Sequence, residues 1–197
     1  MQIATLILAA GASRRFDGCK LLAPLDNGMC LLEHTLALAQ SVTTGPVHIV
    51  SGAWDADIRS LFAAIPETTA NVLFNPQWAQ GLGCSLAFAV HALADRYDAV
   101  LVLLADQIAL RPDDLTALLE PFNGEVIICA EYAGQRGVPA IFPKRYFAQL
   151  KQLQGDQGAK SLLNNPDQPV VTVALENAAI DIDTRTDLDL WRLQTSV

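Results

Sequence analysis

Three cations, Arg14, Arg15 and Lys20, follow an apolar run and a turn of small residues in LAAGASRRFDGCK, Leu8 to Lys20. The small side chains of Ala9, Ala10, Gly11, Ala12 and Ser13 let a ligand approach the main chain closely, so that exposed N–H groups and the cations together neutralise a polyanion. That chemistry suits a triphosphate, and a nucleoside triphosphate is the natural candidate. On this reading Leu8, Ala9, Ala10, Gly11 and Ser13 lie against the nucleotide. The loop taken alone is also compatible with plain α/β scaffolding and solvated arginines.

Carboxylates supply the second element. Asp106 closes AVLVLLAD and emerges from a buried strand at the edge where a metal-bound triphosphate would rest, although a lone acid there also serves as a turn former or helix cap. Asp181 and Asp183 stand two apart in the extended-looking AAIDIDT and project to one face, a second source of the oxygen ligands that Mg²⁺ needs. Thr184 and Asp187 have the T-x-x-D spacing of a capping box and receive no chemistry. His34, His48 and His91 fall in helix-like or strand-like segments away from these motifs and read as structural. Cys19, Cys30, Cys84 and Cys129 lack C-x-x-C spacing, which points to buried thiols rather than zinc or disulfides, with a lowered thiol pKa conceivable only at Cys19 beside Lys20.

The elements that must position these groups alternate. Strands are predicted over 3–10, 47–51, 71–75, 99–105 and 125–129, and helices over 31–41, 56–64, 85–94 and 113–120, the sign of βαβ crossovers and a mostly parallel sheet. From Tyr132 onward the pattern gives an extended segment in GQRGVPAIFP, a helix over 146–153, a strand over 170–175 and a closing helix over 184–193. Ligands of open α/β sheets sit beyond the carboxyl ends of the strands, and Gly11, Ser51-Gly52, Asn75 and Asp106 all fall there.

The LAAG turn, its following arginine and its later lysine resemble the signature loop of the nucleotidyltransferases of molybdenum cofactor synthesis. Further stretches resemble the same family in its order: NPQWAQGLGCSL (75–86), LLADQ (103–107), GQRGVPAIFP (134–143), GDQGAK (155–160) and DIDTRTDL (181–188). The resemblance implies an α/β, Rossmann-like three-layer sandwich of the nucleotide-diphospho-sugar transferase type, with residues 1–197 as a single nucleotidyltransferase domain. It implies that Asp106 and Asp181 are metal ligands, with Asp183 in reserve, and that Asn75, Gly81 and Ser85 lie beside nucleotide or acceptor. A bland alternative makes Trp78 core packing and Gly81-Leu82-Gly83 a loop, and the glycines of GDQGAK either form a turn or start a helix near Ala159 that faces an anion.

The reaction so implied is attack by a phosphate oxygen of the acceptor on the α-phosphorus, expelling pyrophosphate. A phosphate monoester with a second pKa of about 6 needs no histidine base. Arg15 and Lys20 then stabilise charge moving onto pyrophosphate, with Mg²⁺ as cofactor. The spellings RRFDGCKLL and GDQGAK are similar to the cytidylyl branch, which favours CTP and a molybdopterin-type acceptor, with a molybdoenzyme or its chaperone as a further partner. A guanylyltransferase, another small-acceptor transferase and a non-catalytic nucleotide sensor remain the alternatives. The chain departs from the family pattern at Asp17, Ile108 and Lys160, and an acid at Asp17 is expected to weaken the positive field of the loop.

Composition excludes several classes. Of the 197 residues, 51% are hydrophobic and 17% charged, which is a globular chain rather than a disordered one. A net charge of -8 argues against nucleic acid held by bulk electrostatics, and no apolar run approaches the roughly twenty residues that span a bilayer. The N-terminus is apolar first and basic afterwards, the reverse of a secretory signal, so a cytoplasmic location is expected. GASRRF lacks the second and third glycines of a dinucleotide fingerprint, and GASRR lacks the last glycine of a serine hydrolase elbow.

Overall fold

In the computed structural model, which describes residues 1–64 and 70–195, β1 (Ile3–Ala9) sends Ala4, Leu6 and Leu8 into one core and Ile7 and Ala9 into another. The strand β4 (Ala99–Leu104) divides the same way, Val100 and Val102 on one side and Ala99, Leu101 and Leu103 on the other. Burial on both faces is why these strands read as continuous apolar runs. The first core is closed by α3 (Leu82–Leu93), α5 (Phe147–Leu150) and α6 (Lys160–Leu163), and the second by α1 (Leu31–Val42), α2 (Asp55–Ala63) and α4 (Pro112–Leu119). Three layers result, as expected.

With β2 (Val47–Ser51), β3 (Asn71–Phe74), β5 (Ile127–Tyr132), β6 (Gln135–Pro143) and β7 (Val170–Ala174), the sheet has seven strands among the described residues, in the order β3-β2-β1-β4-β6-β5-β7. Only β6 runs against the rest, pairing antiparallel with β4 and β5. Because β1 lies between β2 and β4, the connections leaving the two central strands diverge, and a crevice opens at their carboxyl ends.

Most element ends shift by a residue or two from the sequence expectation, and four elements differ more. The strand predicted over 125–129 instead runs to Tyr132 and turns through Ala133 and Gly134, both at positive φ, straight into β6; an Ala-Gly turn is a weaker hairpin signal than Asn-Gly. Helix α3 starts at Leu82 rather than Ser85, because Gly81 caps it and Gly83 lies in its first turn. The helix predicted over 146–153 is cut to Phe147–Leu150, after which Gln152 and Leu153 make i−3 bonds that turn the chain toward Gly83. The helix near Ala159 is only the four residues of α6. Helix α4 begins at Pro112, one residue before the predicted 113, since the Arg111 N–H donates to Asp114 at 2.8 Å and Pro112 occupies the first turn.

A third, smaller cluster joins distant parts of the chain. Phe16 of the cationic loop, Ile108 just after β4, Ile182 and Leu188 of the closing helix α7 (Arg185–Thr195) are all buried together. Ile182 is 1% exposed and lies between Asp181 and Asp183, so sinking it anchors both aspartates at the edge of the crevice.

Candidate active site

The crevice is an open cleft of about 420 Å³ over the ends of β1 and β4. Leu8, Ala9, Ala10, Gly11 and Ser13 form its floor and near wall, as the sequence predicts, with Arg14, Arg15 and Lys20 beside them. Gly81 and Ser85 line the opposite wall together with Trp78 and Asp156. Asp106 and Asp183 close the end between them.

The loop is shaped by its own turns. Ser13 and Asp17 adopt positive φ, the Phe16 N–H donates to the Ser13 carbonyl at 2.9 Å, and the Lys20 N–H donates to Ser13 Oγ at 3.3 Å. Phe16, 3% exposed, pins the tip into the third cluster. Arg185 of α7 stacks over the Phe16 ring at 5.2 Å and donates to the Asp17 carbonyl at 2.8 Å. Asp17 is exposed and is not among the residues lining the cleft, so the carboxylate expected to weaken the field faces elsewhere.

Asn75 is fully buried and sits behind the wall rather than on it. Its amide donates to Ser85 Oγ at 3.1 Å and its Oδ1 accepts from the Gln77 N–H at 2.9 Å, so it reaches the cleft through Ser85. At Gly81 (φ 108°, ψ 177°) a Cβ would lie 2.5 Å from Asp156 Oδ1 and from the Gly155 carbonyl, and the Gly83 N–H donates to that carbonyl at 2.8 Å. The GDQGAK segment thus acts as a turn that brings Asp156 to the cleft. Neither Lys160 nor the four-residue helix it begins lines it, so the anion-facing helix is not found.

The electrostatics centre on Lys20. Its Nζ donates to Asp106 Oδ2 at 2.7 Å and to Asp183 Oδ1 at 3.0 Å, while Arg15 donates to the other oxygen of Asp183 at 2.6 Å. Burial pulls the Lys20 pKa down, but Asp106 and then Asp183 more than reverse this, leaving it above the ordinary lysine value. For Asp183 burial acts upward, and the Lys20 and Arg15 contacts outweigh it, so its carboxyl stands below the usual range. Asp181 goes the other way, because partial desolvation, Asp183 and Asp106 all push its pKa up.

One oxygen from each of Asp106, Asp181 and Asp183 lies within 4.8 Å of the others. An octahedral Mg²⁺ with bonds of about 2.1 Å spans its ligand oxygens by up to about 4.2 Å, so the three carboxylates would seat it after a small closing movement once the Lys20 ammonium moves off Asp106 and Asp183. The donors are all hard oxygens, and Asp106 Oδ1 is buried with no hydrogen-bond partner among the described residues, so the residues fit a divalent cation. Both members of the Asp181–Asp183 pair come to one group, although the segment is irregular rather than a strand. The capping box is present as read: the Thr184 N–H donates to Asp187 Oδ2 at 2.7 Å and the Asp187 N–H to Thr184 Oγ1 at 3.2 Å.

None of the histidines lines the cleft, and His48 is buried with Nε2 3.2 Å from the Tyr97 hydroxyl. Burial pushes the Cys19 thiol up, against the lowered value its neighbour Lys20 suggests, and the buried Cys30 and Cys129 are pushed up to about 11. Cys19 and Cys84 are only partly buried. Residues that sequence reasoning left without a role include Arg185 and Gln107; Gln107 carries the sharper signal, a large amide directly after an acid at a strand end.

The family model of the MobA-like NTP transferase domain matches residues 5–171. The purine catabolism protein PucB of Bacillus subtilis (strain 168) is 29% identical over 95% of this chain and 94% of its own. The crystal structure of Rv0371c from Mycobacterium tuberculosis H37Rv superposes with a TM-score of 0.82 at 25% identity, covering 98% of this chain and 99% of that one. Its complex with manganese gives a TM-score of 0.80 at 25% identity over 99% and 100%. CMP:2-keto-3-deoxy-manno-octonic acid synthetase complexed with CTP shares the fold, with a TM-score of 0.78 at 14% identity over 100% and 99%. The family match across residues 5–171 makes this chain a nucleotidyltransferase that belongs to the MobA-like NTP transferase domain family.

Proposed function

We propose that the chain transfers a nucleoside monophosphate from a nucleoside triphosphate, CTP in preference, to the phosphate of a molybdopterin-type acceptor and releases pyrophosphate. The carrying observation is one cleft in which the loop after β1 faces Asp106 and Asp183, with the exposed Asp181 grouped beside them just outside the lining. A phosphate oxygen of the acceptor forms a new bond to the α-phosphorus as the bond from that phosphorus to the β-phosphate oxygen breaks, and the electron pair leaves with pyrophosphate.

Gly11 and its small neighbours hold the triphosphate close to the main chain, and Gly81 and Ser85 shape the wall along which the nucleoside lies. Arg15 and Lys20 leave the aspartates to meet the phosphates and stabilise charge on the departing pyrophosphate. Asp106 and Asp181 hold Mg²⁺ or Mn²⁺, with Asp183 as the third oxygen donor in place of a reserve. Bound there, the cation supplies charge neutralisation and orientation of phosphate oxygens. The manganese complex of Rv0371c supports the metal reading. The CTP preference rests on the RRFDGCKLL and GDQGAK spellings.

The test is pyrophosphate release from CTP, GTP, ATP and UTP with a molybdopterin acceptor and Mg²⁺. Release that requires both CTP and the acceptor, and that is nearly abolished in Asp106→Asn with the fold intact, supports the reading. Binding without release for every nucleotide supports a sensor instead, and full activity of Asp106→Asn removes that residue from the mechanism.

A further inference from the structure

Gln107 is 3% exposed, and its Nε2 donates both hydrogens, one to the Val138 carbonyl and one to the Ala178 carbonyl, each at 2.8 Å. Val138 belongs to β6, and Ala178 lies three residues before Asp181 in the 3-10 turn Glu176–Ala179. The residue before Gln107 makes the companion link, since the Asp106 carbonyl accepts from the Ile182 N–H at 3.0 Å. Ile108, on the other side of Gln107, packs against Ile182.

The run 106–108 is therefore tied to the acid-bearing segment at two points, Ala178 and Ile182, with Asp181 between them. One link alone leaves a pivot, whereas two links four residues apart fix both the separation and the tilt of the segment relative to Asp106. A primary amide is the neutral side chain that gives two N–H bonds from one atom to two carbonyls. Methionine fills the same space and donates nothing, and glutamate sets an acceptor against acceptors.

We infer that Gln107 is a positioning residue: it holds the Asp181–Asp183 segment at metal-binding distance from Asp106 and so sets the cation affinity of the site. The inference rests on the metal reading above and goes beyond it by assigning the geometry to a residue that touches neither cation nor nucleotide. A purely structural role would lower stability without touching cation affinity, so affinity must be read separately.

The experiment titrates the full chain with Mn²⁺ alone, followed by electron paramagnetic resonance of free Mn²⁺, and records Tm for each variant. Outer partners of metal ligands typically govern affinity by 10- to 100-fold, so Gln107→Met is expected to weaken Mn²⁺ binding by about that factor. Leu118→Ala is the control: it opens a cavity at a fully buried site in the core under α4, lowers Tm, and keeps Mn²⁺ affinity within about twofold of wild type. A folded Gln107→Met chain with the affinity of the control overturns the inference. If Gln107→Met does not fold, Gln107→Asn decides by the same comparison, its amide being one methylene too short to keep both carbonyls. Wild-type binding that is lost in Asp106→Asn and retained in the Gln107 variant removes this inference alone, and a wild-type chain that does not bind Mn²⁺ removes the metal reading as well.

Discussion

Lys20 sits where positive charge is wanted by two carboxylates at once, and this makes Lys20→Met the most informative perturbation of the nucleotide-free chain. A divalent cation bonded at about 2.1 Å to the oxygens that Lys20 Nζ holds at 2.7 and 3.0 Å would lie no more than about 5 Å from an ammonium left in its present place, and at an effective dielectric of 20 the repulsion is then about 7 kcal/mol or more. That exceeds any bond Lys20 makes, so the ammonium must swing away when the cation enters. Its departure breaks bonds of 2.7 and 3.0 Å to ionised partners, each with a net value of about 1.5–3 kcal/mol. The released ammonium regains water, its side chain being 13% exposed at present, so about one such bond is a reasonable net cost. Removing Lys20 therefore tightens Mn²⁺ binding by roughly 10- to 100-fold. Turnover moves the other way, because the lost contact to pyrophosphate costs about 3 kcal/mol in the transition state, or more than 100-fold in kcat/KM. Mn²⁺ titration read by electron paramagnetic resonance and initial rates of pyrophosphate release measure the two effects. Unchanged or weaker Mn²⁺ binding in Lys20→Met refutes the competition, whatever happens to the rate.

Other perturbations separate the parts of the site. Gly81→Ala places a side chain in a backbone region that only glycine tolerates and sets its Cβ 2.5 Å from Asp156 and Gly155; it should cost about 1–3 kcal/mol in thermal unfolding and raise KM for the nucleotide. Arg185→Ala removes the grip on the Asp17 carbonyl and the stacking on Phe16, so nucleotide affinity should fall several-fold by calorimetry while Mn²⁺ binding in its absence is unchanged. His48 has its pKa lowered by burial and by Arg96. The unfolded chain therefore takes up a proton first, so this contribution to stability is complete above about pH 6.5 and declines as pH falls from there toward the depressed folded value, with a slope of up to about 1.4 kcal/mol per pH unit. Urea midpoints across pH 5 to 8 should show that slope in wild type and lose it in His48→Gln; an identical slope in both assigns it to other groups.

How far the site could be read from sequence depended on whether its parts were local. The loop from Leu8 to Lys20 is contiguous, follows a strand buried on both faces, and its composition alone gave the cationic turn and its place at the strand end. Asp106 was legible for the same reason, because an acid closing AVLVLLAD just past a buried strand has few places to go. Asn75 misled because a buried polar residue and an exposed one look alike in a string, and only its bonds to Ser85 and Gln77 show that it supports the wall. The ranking of Asp181 over Asp183 could not come from spacing, since both project together and what distinguishes them is the pair of cations that Asp183 already holds. The role of Gln107 is not legible in LLADQ, because its partners lie 31 and 71 residues away. What was hidden is thus of one kind. The chemical groups announce themselves by type, while the distances among them are set by Phe16, Ile108, Ile182 and the Gln107 amide, ordinary apolar and amide residues whose importance arises only when the chain closes on itself. It follows that substitutions at those four positions act on the site through the spacing of its charged groups, whereas substitutions at the charged residues act on the contacts themselves.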